Sequence, residues 1–567
     1  WPDNPIGHAA ADLKYRFQWN FPIFFSPHDE KTLYAAGNVL FKTTNEGQTW
    51  VAISPDLTRN DKKKQASSGG PITQDNTSVE YYCTIFAALE SPHEKGVLWC
   101  GTDDGLLQLS RDAGRSWEQV TPPELPEWSM INSLEAHPTE KGGLYLAATR
   151  YKLDDNKPYL FKTVDYGKTW TRIVDGIRDN HFTRVLRADP KRPGLLFAGT
   201  EFGMYISFDD GKRWEPFQLN LPVTPITDLA IKNNDLIVAT QGRSFWVLDN
   251  ISPLHQWKPE IREAPLHVYQ PANATRFLTG GSFGDDIPSS RAEGTNPPSG
   301  AVIFYHLKEV PGNDKPLSLS ILDDKGNNIR TWKSNSEKPG EKIEAKAGMN
   351  RFVWNLRYED AISFPGMVLW GSLTGPKCIP GKYQIRIRYG DVEQNSVFEV
   401  MADPRSPAKP EDFEQQFAFL IAIRDKLTET HSSIKQIRDV RQQIQEVCTR
   451  LKEKRDTSDI TELGKVLVKK LTSIEETLYQ TQAKSSQDVL NYPIRLNNKL
   501  ASLAGNAGVG DYAPSDSALE LKKELIQQID AELVSLRQIL QGDVKKFNEL
   551  LTQKQIPRVF TETTQSP

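Results

Sequence analysis

Four octapeptides place a hydroxyl, a carboxylate or amide, a glycine and a tryptophan at one fixed spacing. They are TTNEGQTW at 43–50, SRDAGRSW at 110–117, TVDYGKTW at 163–170 and SFDDGKRW at 207–214, and they share the pattern [S/T]-x-[D/N]-x-G-x-x-W. A hydroxyl beside a carboxylate could belong to a catalytic site, a metal loop or a structural staple. Turn chemistry accounts for each residue type. A short Asp or Asn side chain accepts hydrogen bonds from backbone N–H groups two residues on, and glycine supplies the positive φ of a tight turn. The tryptophan closes the motif by burying a large ring beside the turn. A chain needs every repeat to hold its shape but does not need four identical active sites. Asn45, Gly47 and Trp50, Asp112, Gly114 and Trp117, Asp165, Gly167 and Trp170, and Asp209, Gly211 and Trp214 are therefore expected to be structural.

If the boxes are staples, the chemistry lies where the repeated elements converge. The box glycines are 67, 53 and 44 residues apart, irregular for a solenoid and suited to propeller blades with variable loops. Before each box stand two apolar strands around a small-residue break, as in LYAAGNVLFKTT, LWCGTDDGLLQLS and LFAGTEFGMYISF. A fifth copy, LIVATQGRSFWVLDN at 236–250, keeps both strands and loses the box. One more apolar run precedes each copy: FPIFFSP, CTIFAALESP, INSLEAHP, TRVLRADP and ITDLAI. Three or four short strands in each of five units read as blades over 1–255.

The boxes resemble the Asp-box (BNR) repeats of sialidase-type, sortilin-type and xyloglucanase-type β-propellers. The segments RFQWNFPIFFSPHD, ISPDLTRND, HFTRVLRADP and QGRSFWVLDN, and the later LNYPIRLNNKLASL, are similar in order to large secreted bacterial proteins described as BNR-repeat or sortilin-like glycosyl hydrolases. The resemblance implies export to the periplasm, outer surface or medium, and a box that is peripheral and not catalytic. It also implies that the five blades are the C-terminal part of a larger propeller, closed by an upstream propeller segment or a partner chain, the alternative being a five-bladed ring closed within this chain.

A propeller binds ligands at the mouth of its channel, where turns after the second strands meet the starts of the inner strands. Asp103, Asp104, Arg150, Glu201 and Arg243 fall on those turns, and Arg16, Glu80 and Arg184 at the inner-strand starts. Asp104 and Glu201 are the candidate carboxylate pair for glycoside hydrolysis, which needs two acids about 5 to 10 Å apart, although solvated loop acids or turn-capping aspartates, as in TDDG, are the reading preferred. Arg16, Glu80, Arg184 and Arg243 are the candidate binding residues. The arginine triad and tyrosine nucleophile of sialidases find no matching motifs around Arg16, Arg184 and Arg243.

The composition, 38% hydrophobic and 25% charged over 567 residues, fits several domains with full cores. A net charge of −4 gives no reason to invoke nucleic acid or an anionic membrane, and no apolar run reaches the length of a transmembrane span. Cys83, Cys100, Cys378 and Cys448 show no metal spacing. A bridge between Cys83 and Cys100 is conceivable, but buried free thiols are the reading preferred. The histidines form no metal motif, and no P-loop, dinucleotide fingerprint or serine elbow is present. No metal and no cofactor are expected.

Residues 256–300 read as linker and loop, with LHVYQPANATRF at 266–277 as a strand entering a new domain and a Gly/Ser/Pro-rich stretch at 278–300. Over 301–405, Tyr383, Ile385, Ile387 and Tyr389 alternate with Gln384, Arg386 and Arg388, the pattern of an immunoglobulin-like sandwich strand. Over 406–556, Ile423, Leu427, Ile434, Ile437, Ile444 and Leu451, then Ile460, Leu463, Leu467, Ile474 and Leu478, keep the three-and-four spacing of a helical bundle. Ser517 and Glu520 suggest a capping box for its last helix, and 557–567 is a tail. The fold expected is thus multidomain and mainly β. The function expected is a propeller-based binding or scaffold protein with a protein or glycan ligand at its mouth, the alternative being a glycoside hydrolase.

Overall fold

The computed structural model describes residues 5–277, 298–338, 340–452 and 457–561. Two compact units divide the chain, Trp1–His255 and Gln256–Pro567.

The first unit is a series of antiparallel sheets, each formed by consecutive strands. Sheet 1 comprises Ile23–Ser26, Asp29–Ala36, Leu40–Thr43 and Val51–Ala52; sheet 2 comprises Ile85–Glu90, Leu98–Thr102, Leu107–Ser110 and Glu118–Gln119. Sheet 3 runs Met130–Ala136, Leu144–Arg150, Asp155–Thr163 and Thr171–Arg172, and sheet 4 runs Thr183–Ala188, Leu196–Thr200, Gly203–Ser207 and Glu215–Pro216. Sheet 5 has three strands, Ile226–Lys232, Asp235–Thr240 and Phe245–Leu248. The second strands are near-continuous apolar runs because they are covered on both faces, and every residue of Leu98–Thr102 and of Leu196–Thr200 is buried. One core joins sheets 1 and 2 through Tyr34, Leu40, Ile85 and Cys100, and others join sheets 2 to 3, 3 to 4 and 4 to 5. Face-to-face packing of successive meanders is the arrangement of a β-propeller.

The boxes connect third to fourth strands, and their geometry amends the sequence reading in two respects. The Asp or Asn accepts from the backbone N–H four residues on, not two. Asp112 Oδ1 takes Ser116 N at 2.9 Å and Asp165 Oδ1 takes Thr169 N at 2.9 Å. It is the leading hydroxyl that accepts the glycine N–H, as from Gly114 to Ser110 Oγ at 2.8 Å. Further, the indole reaches past its own turn into the preceding sheet. Trp117 Nε1 donates to Ile53 O at 3.2 Å, Trp170 Nε1 to Val120 O at 3.0 Å and Trp214 Nε1 to Ile173 O at 2.8 Å. Each acceptor is the residue after a fourth strand. The box is a clamp between neighbours as well as a turn.

In the second unit, a three-stranded sheet (Leu266–Val268, Ala301–Leu307, Gly348–Trp354) and a five-stranded sheet enclose one core around Ile303, Leu319, Trp354 and Ile385. The five-stranded sheet holds Leu317–Leu322, Asn328–Lys333, Gly381–Tyr389 and Val392–Ala402, with Ala274–Arg276 added parallel to the last. Tyr383, Ile385, Ile387 and Tyr389 all point inward. The strand expected at 266–277 is two strands, Leu266–Val268 and Ala274–Arg276, so the stretch assigned as linker over 256–300 is in part sheet. Residues 278–297 of the expected loop lie outside the described residues.

Helices Pro410–Leu451, Ser458–Leu478, Leu496–Ala507, Asp516–Gln538 and Val544–Gln553 bury their three-and-four stripes in a shared core. The helix expected to open at Ser517 is capped two residues earlier, where Ser515 Oγ accepts from Ala518 N at 3.3 Å. Glu475, 1% exposed, sits between Arg438 and Arg441 at 2.6 Å from each. All four cysteines are free, and Cys83 and Cys100 are buried.

Candidate functional site

The first strands of all five sheets line one cavity of about 690 Å³. Its walls are unequal. Sheets 1 and 2 contribute Ile23, Phe24, Phe86 and Ala87, whereas sheets 3 to 5 contribute Asn132, Ser133, Arg184, Arg187 and Asp228. Arg187 organises the polar side. Its guanidinium donates to Ser133 Oγ at 2.6 Å, to Leu229 O at 2.9 Å and to Asp228 Oδ1 at 2.7 Å, so one side chain on sheet 4 binds sheets 3 and 5. Glu135 Oε2 lies 3.8 Å from the same guanidinium. Loss of solvent around the Glu135 carboxyl pushes its pKa up to about 7, while Arg187 pulls it down.

At the end where first strands begin and second strands turn, Arg184 donates from Nε to Glu201 Oε2 at 2.8 Å. Its guanidinium also lies 5.4 Å from the Tyr151 ring centre and 5.2 Å from that of Phe182. Tyr151 and Phe182 stack at 4.8 Å. A second cluster gathers around Trp128, with the Arg59 guanidinium 4.8 Å and Lys64 Nζ 4.5 Å from its ring, and Tyr82 stacked at 6.3 Å. Phe182 is buried while Tyr151 and Trp128 are half-buried, so the latter two are the rings that can receive an apolar or sugar face while the neighbouring cation takes a polar group.

Of the residues anticipated for this end, Arg184 and Glu201 come together and Arg243 is exposed. Glu80 is exposed and accepts from Trp19 Nε1 at 3.0 Å. Arg150 is held by Asp155 at 3.6 Å and by Glu127 O at 3.1 Å. Three others are internal struts, which corrects their assignment as ligand-facing. Arg16, 2% exposed, donates to Asp56 at 2.6 Å and to Cys83 O at 3.1 Å. Asp103 accepts from Thr84 N at 2.8 Å and from Thr84 Oγ1 at 2.7 Å, and burial pushes its pKa up to about 7. Asp104 is 0% exposed, accepting from Thr102 Oγ1 at 2.6 Å and Arg59 N at 2.8 Å, and burial raises its pKa as well. A carboxyl sealed in this way does not meet a substrate, so Asp104 and Glu201 do not form an acid pair at the mouth.

Sequence reasoning missed Arg187, Glu135, Asp228 and Trp128. A signal existed for the first two: each is a charge inside an otherwise apolar first strand, in TRVLRADP and INSLEAHP. Among the described residues, no group of three or more His, Cys, Asp or Glu side chains is placed to hold a metal. No described helix is long and apolar enough to cross a membrane.

No family model matches the chain, and no curated protein matches it. Solved structures similar to parts of it include the GH74 xyloglucanase from Xanthomonas campestris, at 19% identity and a TM-score of 0.31, over 40% of this chain and 36% of that one. The GH74 enzyme of Niastella koreensis is similar at 12% identity and a TM-score of 0.30, over 69% of this chain and 55% of that one. YCF48 bound to D1 peptide is similar at 15% identity and a TM-score of 0.25, over 45% of this chain and 72% of that one. Likeness at these values carries no argument about function, and the propeller is read from the packing of the sheets themselves.

Proposed function

We propose that the five sheets are blades of an exported propeller-based binding protein that recognises a protein or glycan ligand at the channel mouth. In this reading the two-sheet domain is an immunoglobulin-like sandwich, and it and the helices act as scaffold. One observation carries the proposal: Glu201 pairs with Arg184 beside the half-buried Tyr151 ring, and Asp228 pairs with Arg187 in the adjoining cavity. Paired, oriented charges next to stacked rings suit recognition. Hydrolysis would ask for an accessible acid that holds a proton near neutral pH beside an ionised partner, and Asp104, the acid anticipated for that task, is sealed.

The test is a panel of plant and bacterial polysaccharides and of peptides, scored for binding and for reducing sugar released. Arg184→Glu should weaken the best ligand by about tenfold or more, as for loss of an oriented charged contact. Lys168→Glu, in a peripheral box, should leave affinity within about twofold. Equal effects of the two variants move the site away from the mouth. Sugar release that Glu201→Gln abolishes makes the protein a hydrolase.

A further inference from the structure

The connection between strands Gly348–Trp354 and Gly381–Tyr389 doubles back on itself and sets two like charges face to face. Tyr358 N donates to Pro376 O at 3.0 Å, Ala361 N to Leu373 O at 2.8 Å and Cys378 N to Leu356 O at 2.7 Å, so residues 356–361 run antiparallel beside 373–378. Gly375 is needed at the closest approach, where a Cβ would stand 2.2 Å from Tyr358 O. In this register Arg357 and Lys377 lie directly opposite one another. Residues paired in this way share a face, and like charges there repel.

Two more cations join them. Arg276, 3% exposed, donates from Nη1 to Cys378 O and from Nη2 to Gln416 Oε1, each at 2.8 Å. Arg424 comes from the helix Pro410–Leu451. The four line one cavity of about 230 Å³, and no aspartate or glutamate lines it. That volume holds many waters, since one requires about 10 to 15 Å³.

The acids nearby do not cancel the charge. Asp511 Oδ1 lies 2.9 Å from Arg276 Nη2, and Asp425 takes Arg424 Nε at 2.7 Å. Asp360 commits Oδ1 to Gly375 N at 2.8 Å. Arg357 and Lys377 make no ion pair among the described residues, and their side chains donate only to carbonyl oxygens, Arg357 Nη1 to Gly375 O and Lys377 Nζ to Phe277 O, each at 2.8 Å. Burial lowers the pKa of both, against the pull of Asp360 on Arg357, and repulsion from Arg276 lowers them further. Arg276 Nε and both Asp511 oxygens are buried without a hydrogen-bond partner, so that contact offsets charge and leaves a buried donor open at the cavity.

We propose that this pocket binds a phosphate group, as inorganic phosphate or as a small phosphate monoester. The charge count selects it. Arg357 and Lys377 are two cations left over, and a phosphate monoester carries about −1.5 to −2 at pH 7. Guanidinium groups offer paired donors to phosphate oxygens and the lysine adds a point charge. Ser372 and Thr374 are exposed and mark the open side, while Leu373 and Leu420 are partly buried apolar side chains of the wall that suit the carbon portion of an ester. The pocket lies wholly within the second unit and rests neither on the blades nor on a ligand at their mouth.

The experiment is calorimetric titration of the full chain with inorganic phosphate and with glycerol phosphate, at fixed ionic strength in chloride buffer. Saturable binding is expected, weakened about tenfold or more by Lys377→Met, as for loss of a charged contact. Lys382→Met, at an exposed lysine of the adjoining strand, should leave affinity within about twofold. Glycerol phosphate that binds about fivefold more tightly assigns a monoester through its apolar contact, and equal or weaker binding assigns the free ion. In phosphate-free buffer Lys377→Met should unfold no earlier than the unmutated chain, because repulsion with Arg357 and Arg276 is relieved. A second reading needs no variant: acetylation followed by mass spectrometry should slow about fivefold or more at Lys377 in saturating phosphate and stay unchanged at Lys382. The proposal is overturned if neither phosphate binds saturably, if the two lysine variants weaken binding equally, or if phosphate fails to protect Lys377. It is overturned equally if Lys377→Met lowers the unfolding midpoint, since the lysine then braces the connection, or if malate binds more tightly than both phosphates, since the pocket then takes carboxylates.

Discussion

The same substitution at four equivalent tryptophans should cost the first unit three different amounts, ordered by how completely each ring is clamped. Trp214 is 2% exposed, packs among Ile173, Ile177 and Tyr205, and donates to Ile173 O at 2.8 Å. Trp214→Ala removes a ring of about 200 Å², leaves a cavity and strands a buried carbonyl, which together cost about 3 to 5 kcal/mol. Trp214→Phe fills most of the cavity and isolates the unpaired carbonyl, at about 1 to 2 kcal/mol. Trp117 and Trp170 keep their bonds but are only partly buried, so truncation there should cost about 2 kcal/mol. Trp50 has no acceptor among the described residues and is 41% exposed, so Trp50→Ala opens no core and should cost about 1 kcal/mol or less. Scanning calorimetry, with urea unfolding followed by circular dichroism, reads the series directly. For a unit of this size, 1 kcal/mol moves the midpoint by about 2 to 4 °C, so the ends of the series should stand roughly 10 °C apart. Equal costs at Trp50 and Trp214, or no cost for Trp214→Phe, would refute the clamp.

Two further predictions concern pH. Burial lifts the Asp103 carboxyl to about 7 in the folded state from about 4 in the unfolded chain, so folding favours its neutral form. The protein should lose stability as pH rises from about 4 to 7, by at most about 4 kcal/mol from this group, and Asp103→Asn should flatten that slope in urea titrations. Asp112 behaves in the opposite sense. Hydrogen bonds from the Ser116 hydroxyl and N–H lower its pKa to about 2, so its contribution is complete above about pH 4 and is lost as pH falls toward 2. Asp112→Asn should make stability less sensitive to acid in that window, and an unchanged acid limb would remove the box carboxylates from the account. In the helices, Glu475→Gln leaves Arg438 and Arg441 without their shared buried anion and should destabilise by about 3 kcal/mol, measured as a lower midpoint for the helical transition.

Local turn chemistry and side-chain period were legible in the sequence, whereas partners supplied from far along the chain were not. The alternation at Tyr383, Ile385, Ile387 and Tyr389 and the stripe from Ile423 to Leu451 both record burial on one side of a regular element, and both sets are buried. The box was recognisable as a turn because its Ser or Thr, Asp or Asn and Gly satisfy one another within five residues. Its second role was hidden, since the carbonyl that Trp117 reaches lies 64 residues earlier in the chain. The mouth was misjudged for the same reason. In TDDG, Asp104 reads as a loop acid, but the segment after sheet 1 folds back and Arg59, 45 residues upstream, seals it with a backbone N–H. That segment has no apolar period to announce its course. Arg184 and Glu201 were each placed at this end because the start of a first strand and the turn after the second are neighbours in one sheet, but their pairing with each other was not anticipated.

The two sides of the cavity differ in how firmly their side chains are held. Arg187 can bridge Ser133 and Leu229 O only because sheets 3, 4 and 5 stand at fixed separations, and Trp170 and Trp214 help to set the spacing of sheets 2 to 4. Three strong hydrogen bonds to one guanidinium in a confined channel give that side a fixed pattern of donors and acceptors. On the facing side, Ile23, Phe24 and Phe86 offer shape without direction. The strand Ile23–Ser26 thus contributes to two features at once, through Ile23 and Phe24 to the cavity and through Ile23 to the apolar groove beside sheet 1.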